Sequence, residues 1–150
     1  MKKFLAILIL SLLVCNNSFA DNLKIIDGDT IILNGEKIRL SGIDSPELEQ
    51  ICLRSDQQVN CGRFAKMLLA EKIGNATPKC ISEGKDVYKR ILAECFVNGE
   101  SLSKFLVRSG YAFAYIKYST KFINDEVFAK ENKLGMWSMK FEYPWDFRKK

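Results

Sequence analysis

The chain has 150 residues, 47% hydrophobic and 27% charged, with three prolines; this suits one domain around a single core and excludes a disordered chain. The net charge is +5 and histidine is absent, which rules out a Ser-His-Asp triad, a Cys-His pair and a histidine base. Any catalysis must then rest on carboxylates, arginines, tyrosines, lysines or a hard metal ion.

The chain opens with Lys2 and Lys3, an apolar run over residues 4–14 and the small-x-small triplet Ser18-Phe19-Ala20. That order predicts a secretory signal peptide over residues 1–20, cleaved after Ala20. The run is too short for a bilayer, which takes about 20 residues, and the bulky Val14 argues against a lipid-anchored Cys15. Residues 21–150 are therefore expected to be exported, to the periplasm or the medium, with no stable membrane association. Losing Lys2 and Lys3 lowers the net charge from +5 to +3. A polyanionic substrate is compatible with that excess, and so is an ordinary solvated surface.

Residues 23–26 and 30–33 are short β-branched runs, interrupted by Asp27-Gly28-Asp29. Asn34-Gly35 then predicts a two-residue hairpin. In residues 36–43, Ile38 and Leu40 alternate with Arg39, so the arginine faces the other way. Residues 44–60 read as a loop, and Phe64, Leu68 and Leu69 predict a helix over 62–73. A second hairpin is expected from residues 78–82, a loop at 83–89 and a strand at 90–97, with Asn98-Gly99 as the next turn. Ser101 caps a helix ended by Gly110, and a third helix spans 122–134 before Gly135. No repeat or linker interrupts the pattern, and the order of elements predicts an α+β fold with a closed sheet.

Leaving aside Cys15, the cysteines are Cys52, Cys61, Cys80 and Cys95. An even number in a small exported domain indicates disulfides, and four allow three connectivities. Cys52–Cys61, closing a short loop, and Cys80–Cys95, stapling hairpin neighbours, are favoured. Zinc is disfavoured, because there is no CxxC pair and no histidine.

Four pieces carry chemistry: Ile26-Asp27-Gly28-Asp29-Thr30, Ile38-Arg39-Leu40, Asp44-Ser45-Pro46-Glu47 and Asp86-Val87-Tyr88-Lys89-Arg90. Each alone is an ordinary turn, strand or cap. In this order, and followed by Leu106-Val107-Arg108-Ser109-Gly110-Tyr111-Ala112 and Gly135-Met136-Trp137, they resemble the thermonuclease (staphylococcal nuclease-like, SNase) family over about residues 25–137. The resemblance implies a five-stranded OB-fold β-barrel with three helices, and cleavage of DNA and RNA to 3′-phosphates. It implies Ca²⁺ held by Asp29, Asp44 and the Ser45 carbonyl, Glu47 as general base, and Arg39 and Arg90 on the phosphate. It also places Tyr88 near the nucleotide, with Tyr115 and Tyr118 near the family's base-stacking positions, although their spacing is three rather than two.

The chemistry of that set is coherent. Ca²⁺ takes oxygen ligands and no nitrogen or sulfur, and guanidinium forks match phosphate oxygens. The expected substrate is single-stranded or unwound nucleic acid, and the expected state is a monomer. Lys89 stands where the family usually has glycine before the last arginine, so a positive φ there would be strained. The alternative is a non-catalytic OB module binding nucleic acid or peptides, or, further off, a disulfide-stapled inhibitor. Neither needs all of Asp29, Arg39, Asp44, Glu47 and Arg90.

Overall fold

Asn34 and Gly35 both take positive φ (52° and 85°), the conformation a two-residue hairpin turn with right-twisting strands requires. They join β2 (Thr30–Leu33) to β3 (Glu36–Leu40), and β2 also pairs antiparallel with β1 (Leu23–Ile25). The structure is a computed structural model describing residues 22–150, so the expected signal peptide lies outside the described residues. Among the described residues no helix is long and apolar enough to cross a membrane.

After β4 (Ile43–Asp44) comes a difference from the sequence reading. Residues 51–60 are not loop but a hairpin of β5 (Ile51–Arg54) and β6 (Gln57–Asn60). Its turn is Ser55-Asp56, both at positive φ (48° and 65°), so the conformation is reached without the glycine that signals it. The Cys52–Cys61 disulfide closes this hairpin. Helix α1 (Cys61–Ile73) follows at once, its first turn capped by Asn60 Oδ1 accepting from the Arg63 amide at 2.8 Å.

Strand β7 (Lys79–Lys85) runs longer than expected, because Gly84 at φ 129° absorbs a bulge and pairing resumes beyond it. It pairs antiparallel with β8 (Ile91–Val97), and Cys80–Cys95 staples the two. β8 pairs in turn with β3, here in parallel, giving the order β1-β2-β3-β8-β7; β9 (Glu100–Ser101) adds to β8. The five-strand path curls into a half-barrel, with no pairing between β1 and β7 among the described residues where a closed sheet is expected. With the helices it makes the α+β, OB-type fold that the resemblance implies.

Helix α2 (Leu102–Arg108) is capped by Ser101, and its face packs into the barrel core with Ile31, Leu40, Leu69 and Val97. β10 (Phe113–Ala114) pairs with β4. Helix α3 (Ile123–Glu131) stops before the expected boundary, because Lys133 adopts φ 52° ahead of Gly135. A further one-turn helix, α4 (Pro144–Phe147), begins on a proline, which suits a first turn.

A second core is aromatic. Phe113, fully buried, meets the rings of Trp137, Phe141, Tyr143 and Trp145 at centroid distances of 5.1–5.9 Å. These contacts fold the C-terminal segment back over β10. Truncating Phe113 to alanine removes the hub of that cluster and is expected to cost about 3–5 kcal/mol. Chemical denaturation should show the loss as a lower midpoint.

Candidate active site

The Asp27–Asp29 turn, β3, the segment after β4 and the C-terminus all deliver charged groups to one end of the barrel. Asp27 Oδ1 accepts the Asp29 amide at 3.0 Å, which fixes Asp29 just ahead of β2. The β2–β3 register pairs Thr30 with Arg39, so Arg39 lies beside Asp29. Its Nη1 donates to Asp29 Oδ1 at 2.6 Å, and its Nη2 donates to Ile43 O at 3.1 Å and Asp44 Oδ1 at 3.0 Å. Asp44 is fully buried, held by the pairing of β4 with β10 opposite Phe113. The Ser45 amide donates to Asp29 Oδ2 at 3.0 Å. Two acids fifteen residues apart thus share one guanidinium.

Glu47 is positioned through its backbone. Its amide donates to Gln50 Oε1 at 3.2 Å, the Gln50 amide donates back to Glu47 O at 2.8 Å, and Gln50 Nε2 donates to Glu142 O at 2.5 Å. Gln50, buried to 1% exposure, escaped the sequence reading because a glutamine in a polar stretch carries no signal. Gly62 at the start of α1 backs the same segment: a Cβ there would fall 1.7 Å from the Glu47 carbonyl oxygen. Gly62→Ala must push the Glu47 segment outward. The expected results are a loss of about 1–3 kcal/mol in stability and weaker activity than melting accounts for, read by denaturation and initial rates.

Arg148 carries no site signal in the sequence, where Arg148-Lys149-Lys150 reads as a solvated basic end or a weak phosphate attractor. In the fold its Nη2 donates to Asp44 Oδ2 at 2.7 Å, and its Nη1 donates to Glu47 Oε1 at 2.8 Å and Asp44 Oδ1 at 3.2 Å. Asp29, Asp44 and Glu47 are thereby linked by Arg39 and Arg148. An open cleft of about 400 Å³, lined by Asp27, Glu47, Leu48, Glu49, Phe147 and Arg148, borders this network.

Burial pushes the Asp29 carboxyl up to about 6, against the opposing pull of Arg39. Desolvation works against the Arg39 charge, but Asp29 and Asp44 outweigh it and raise its pKa. Arg148 is raised as well, first by its hydrogen bonds to Asp44. Positive charge is what these acids draw in. Among the described residues no three acidic or cysteine side chains form a ready metal cluster; guanidinium groups stand between the carboxylates. The donors are nevertheless all hard oxygen, the kind that Ca²⁺ or Mg²⁺ takes, whereas zinc sites draw on nitrogen and sulfur.

The remaining expected residues lie apart from this network. Arg90 precedes β8, whose Leu92 pairs with Arg39, but its Nε donates to Asp86 Oδ2 at 2.6 Å. Burial opposes the Asp86 charge, and hydrogen bonds from Arg90 and Tyr88 prevail and hold its pKa below the ordinary carboxylate value. Lys89 does take φ 63°, the left-handed conformation that disfavours a side chain. Tyr88, 77% exposed, lies with its ring 5.5 Å from the Arg90 guanidinium. Tyr115 and Tyr118 meet edge-on at 4.9 Å, and Tyr115 lies parallel to Trp145 at 6.2 Å.

The family described as "Staphylococcal nuclease homologue" matches residues 37–139. Among similar proteins, succinoglycan biosynthesis protein ExoI of Rhizobium meliloti is 30% identical over 127 residues, covering 80% of this chain and 65% of its own. Endonuclease YncB of Bacillus subtilis is 33% identical over 127 residues, covering 77% of this chain and 59% of its own. An uncharacterized endonuclease of Escherichia coli is 28% identical over 134 residues, covering 83% and 80%. The chain thus spans about two thirds of ExoI and less of YncB.

Proposed function

This chain belongs to the staphylococcal nuclease homologue family, and from that premise we propose that it is an exported, Ca²⁺-dependent nuclease. It hydrolyses phosphodiester bonds of DNA and RNA, single-stranded or unwound by preference, and leaves 3′-phosphates. The observation that carries this reading is the convergence of Asp29, Arg39 and Asp44, joined to Glu47 through Arg148, beside an open cleft.

Asp29, Asp44 and the Ser45 carbonyl are the residues that would hold the ion. A bound Ca²⁺ supplies polarisation of a phosphoryl oxygen and neutralises part of the charge gained in the transition state. Arg39 has five N–H donors, and three bonds to Asp29, Asp44 and Ile43 leave two for phosphate. Glu47, on the cleft wall, accepts a proton from the attacking water, whose oxygen bonds to phosphorus while the P–O5′ bond breaks and the 5′-oxygen takes up a proton. Arg90 serves the same phosphate after giving up Asp86. Tyr88, Tyr115 and Tyr118 offer ring faces to bases, each such stack being worth about 1–3 kcal/mol. Export is supported by the pattern of residues 1–20 and by two disulfides, which persist in oxidising compartments.

The test is incubation of purified protein with heat-denatured DNA and with RNA, in Ca²⁺ and in chelator. The expected outcome is degradation in Ca²⁺ that stops on chelation. No degradation in either condition leaves a binding-only OB module, and degradation indifferent to chelator leaves a nuclease without the metal.

A further inference from the structure

We infer that Arg148 is a removable internal cation that occupies the Asp44–Glu47 acid pair and sets the affinity of the site for divalent metal by competing with it. The inference rests on the metal site proposed above. Asp44 Oδ1 is shared by Arg39 and Arg148, whereas Oδ2 accepts from Arg148. Glu47 Oε1 likewise accepts from Arg148. A divalent ion approaching Asp44 from the cleft therefore meets a guanidinium on the oxygens it needs. Both cations cannot hold the same lone pairs, and unscreened repulsion between them is severe near a buried carboxylate.

The two arginines differ in how they are held. Arg39 has a side chain 15% exposed and three bonds tying it to Asp29, just ahead of β2, and to Ile43 and Asp44 of β4. Arg148 lies just past α4, and its side chain is 40% exposed, so it can turn into water with the backbone still anchored. That anchor is aromatic: Trp145 stacks on Tyr143 at 4.6 Å and both meet Phe113. The neighbouring cations are committed elsewhere, Lys149 to Asp146 at 2.7 Å and Lys150 to Glu142 at 2.8 Å. The chain end thus presents one guanidinium to the acids, tethered and exchangeable.

Calorimetric titration of CaCl₂ into the unmutated protein, Arg148→Gln and Lys149→Gln at fixed ionic strength tests this. Arg148→Gln is expected to bind Ca²⁺ about tenfold more tightly or better, within the usual span of coupling between two ligands. Lys149→Gln removes the same charge without the contact and should change affinity less than about twofold. Equal or weaker binding by Arg148→Gln, when the unmutated protein binds, overturns the inference and leaves the metal site standing; absence of binding by all three proteins overturns both. A second measurement needs no variant. Labelling by an arginine-selective dicarbonyl, read by peptide mass spectrometry, should quicken severalfold at Arg148 on adding saturating Ca²⁺ while Arg108, paired with Asp125 on α3, stays constant. An unchanged Arg148 rate also overturns the inference.

Discussion

Arg39→Lys is expected to lower the rate of phosphodiester hydrolysis by about 10³-fold or more, the range that a phosphate-stabilising arginine commands. Lysine keeps the charge but is a point donor and cannot bridge two carboxylates while pointing donors at a third group. Arg39 bridges Asp29 and Asp44 and also donates to Ile43 O. Losing the bridge leaves two largely buried acids facing each other with less compensation, so part of the loss will be structural; breaking such a pair completely costs about 3–5 kcal/mol. Melting curves separate the two contributions. Because lysine preserves the charge, the thermal shift should be modest beside the fall in rate. A lysine variant within tenfold of the original rate would confine Arg39 to a structural role.

Glu47→Gln is expected to lower kcat by about 10²–10⁴-fold, the usual worth of a positioned base, while Ca²⁺-dependent binding of single-stranded DNA persists. The side chain keeps its size, and the segment stays anchored by Gln50 and Gly62, whose contacts are to the Glu47 backbone. Only proton acceptance is removed, together with the charge that Arg148 meets. Since that interaction belongs to the transition state, kcat should fall with little change in KM. Turnover equal to the unmutated protein would remove Glu47 from the mechanism.

What the sequence reveals and what it hides divides along range. Asn34-Gly35 announces its own turn, and the two-residue turn fixes the register that sets Thr30 opposite Arg39, so the Asp29–Arg39 approach follows from local rules. Asp44, in β4, and Glu47 follow within eight residues of Arg39, so sequence proximity carries them to the same end. The β5–β6 hairpin stays hidden because Ser55 and Asp56 enter positive φ without glycine, and α3 is shortened by Lys133 doing the same. Arg90 shows the limit of spacing as a guide: its nearest acid is Asp86, four residues earlier on the same turn. Arg148 is hidden most completely. It reaches Asp44 from 104 residues away, carried by an aromatic cluster around Phe113 whose rings have no periodic pattern.

The proposed function requires Asp29, Asp44 and Glu47 to form one site with Arg39 for a hard cation and a phosphate. Its most direct test is an amide-resolved NMR titration, first with Ca²⁺ and then with a short single-stranded oligonucleotide. Shifts should centre on residues 27–30 and 43–48 with the ion, then spread to Arg39 as the oligonucleotide binds. Saturable shifts centred elsewhere on the barrel, with these residues unmoved, would place the cation and phosphate at another site.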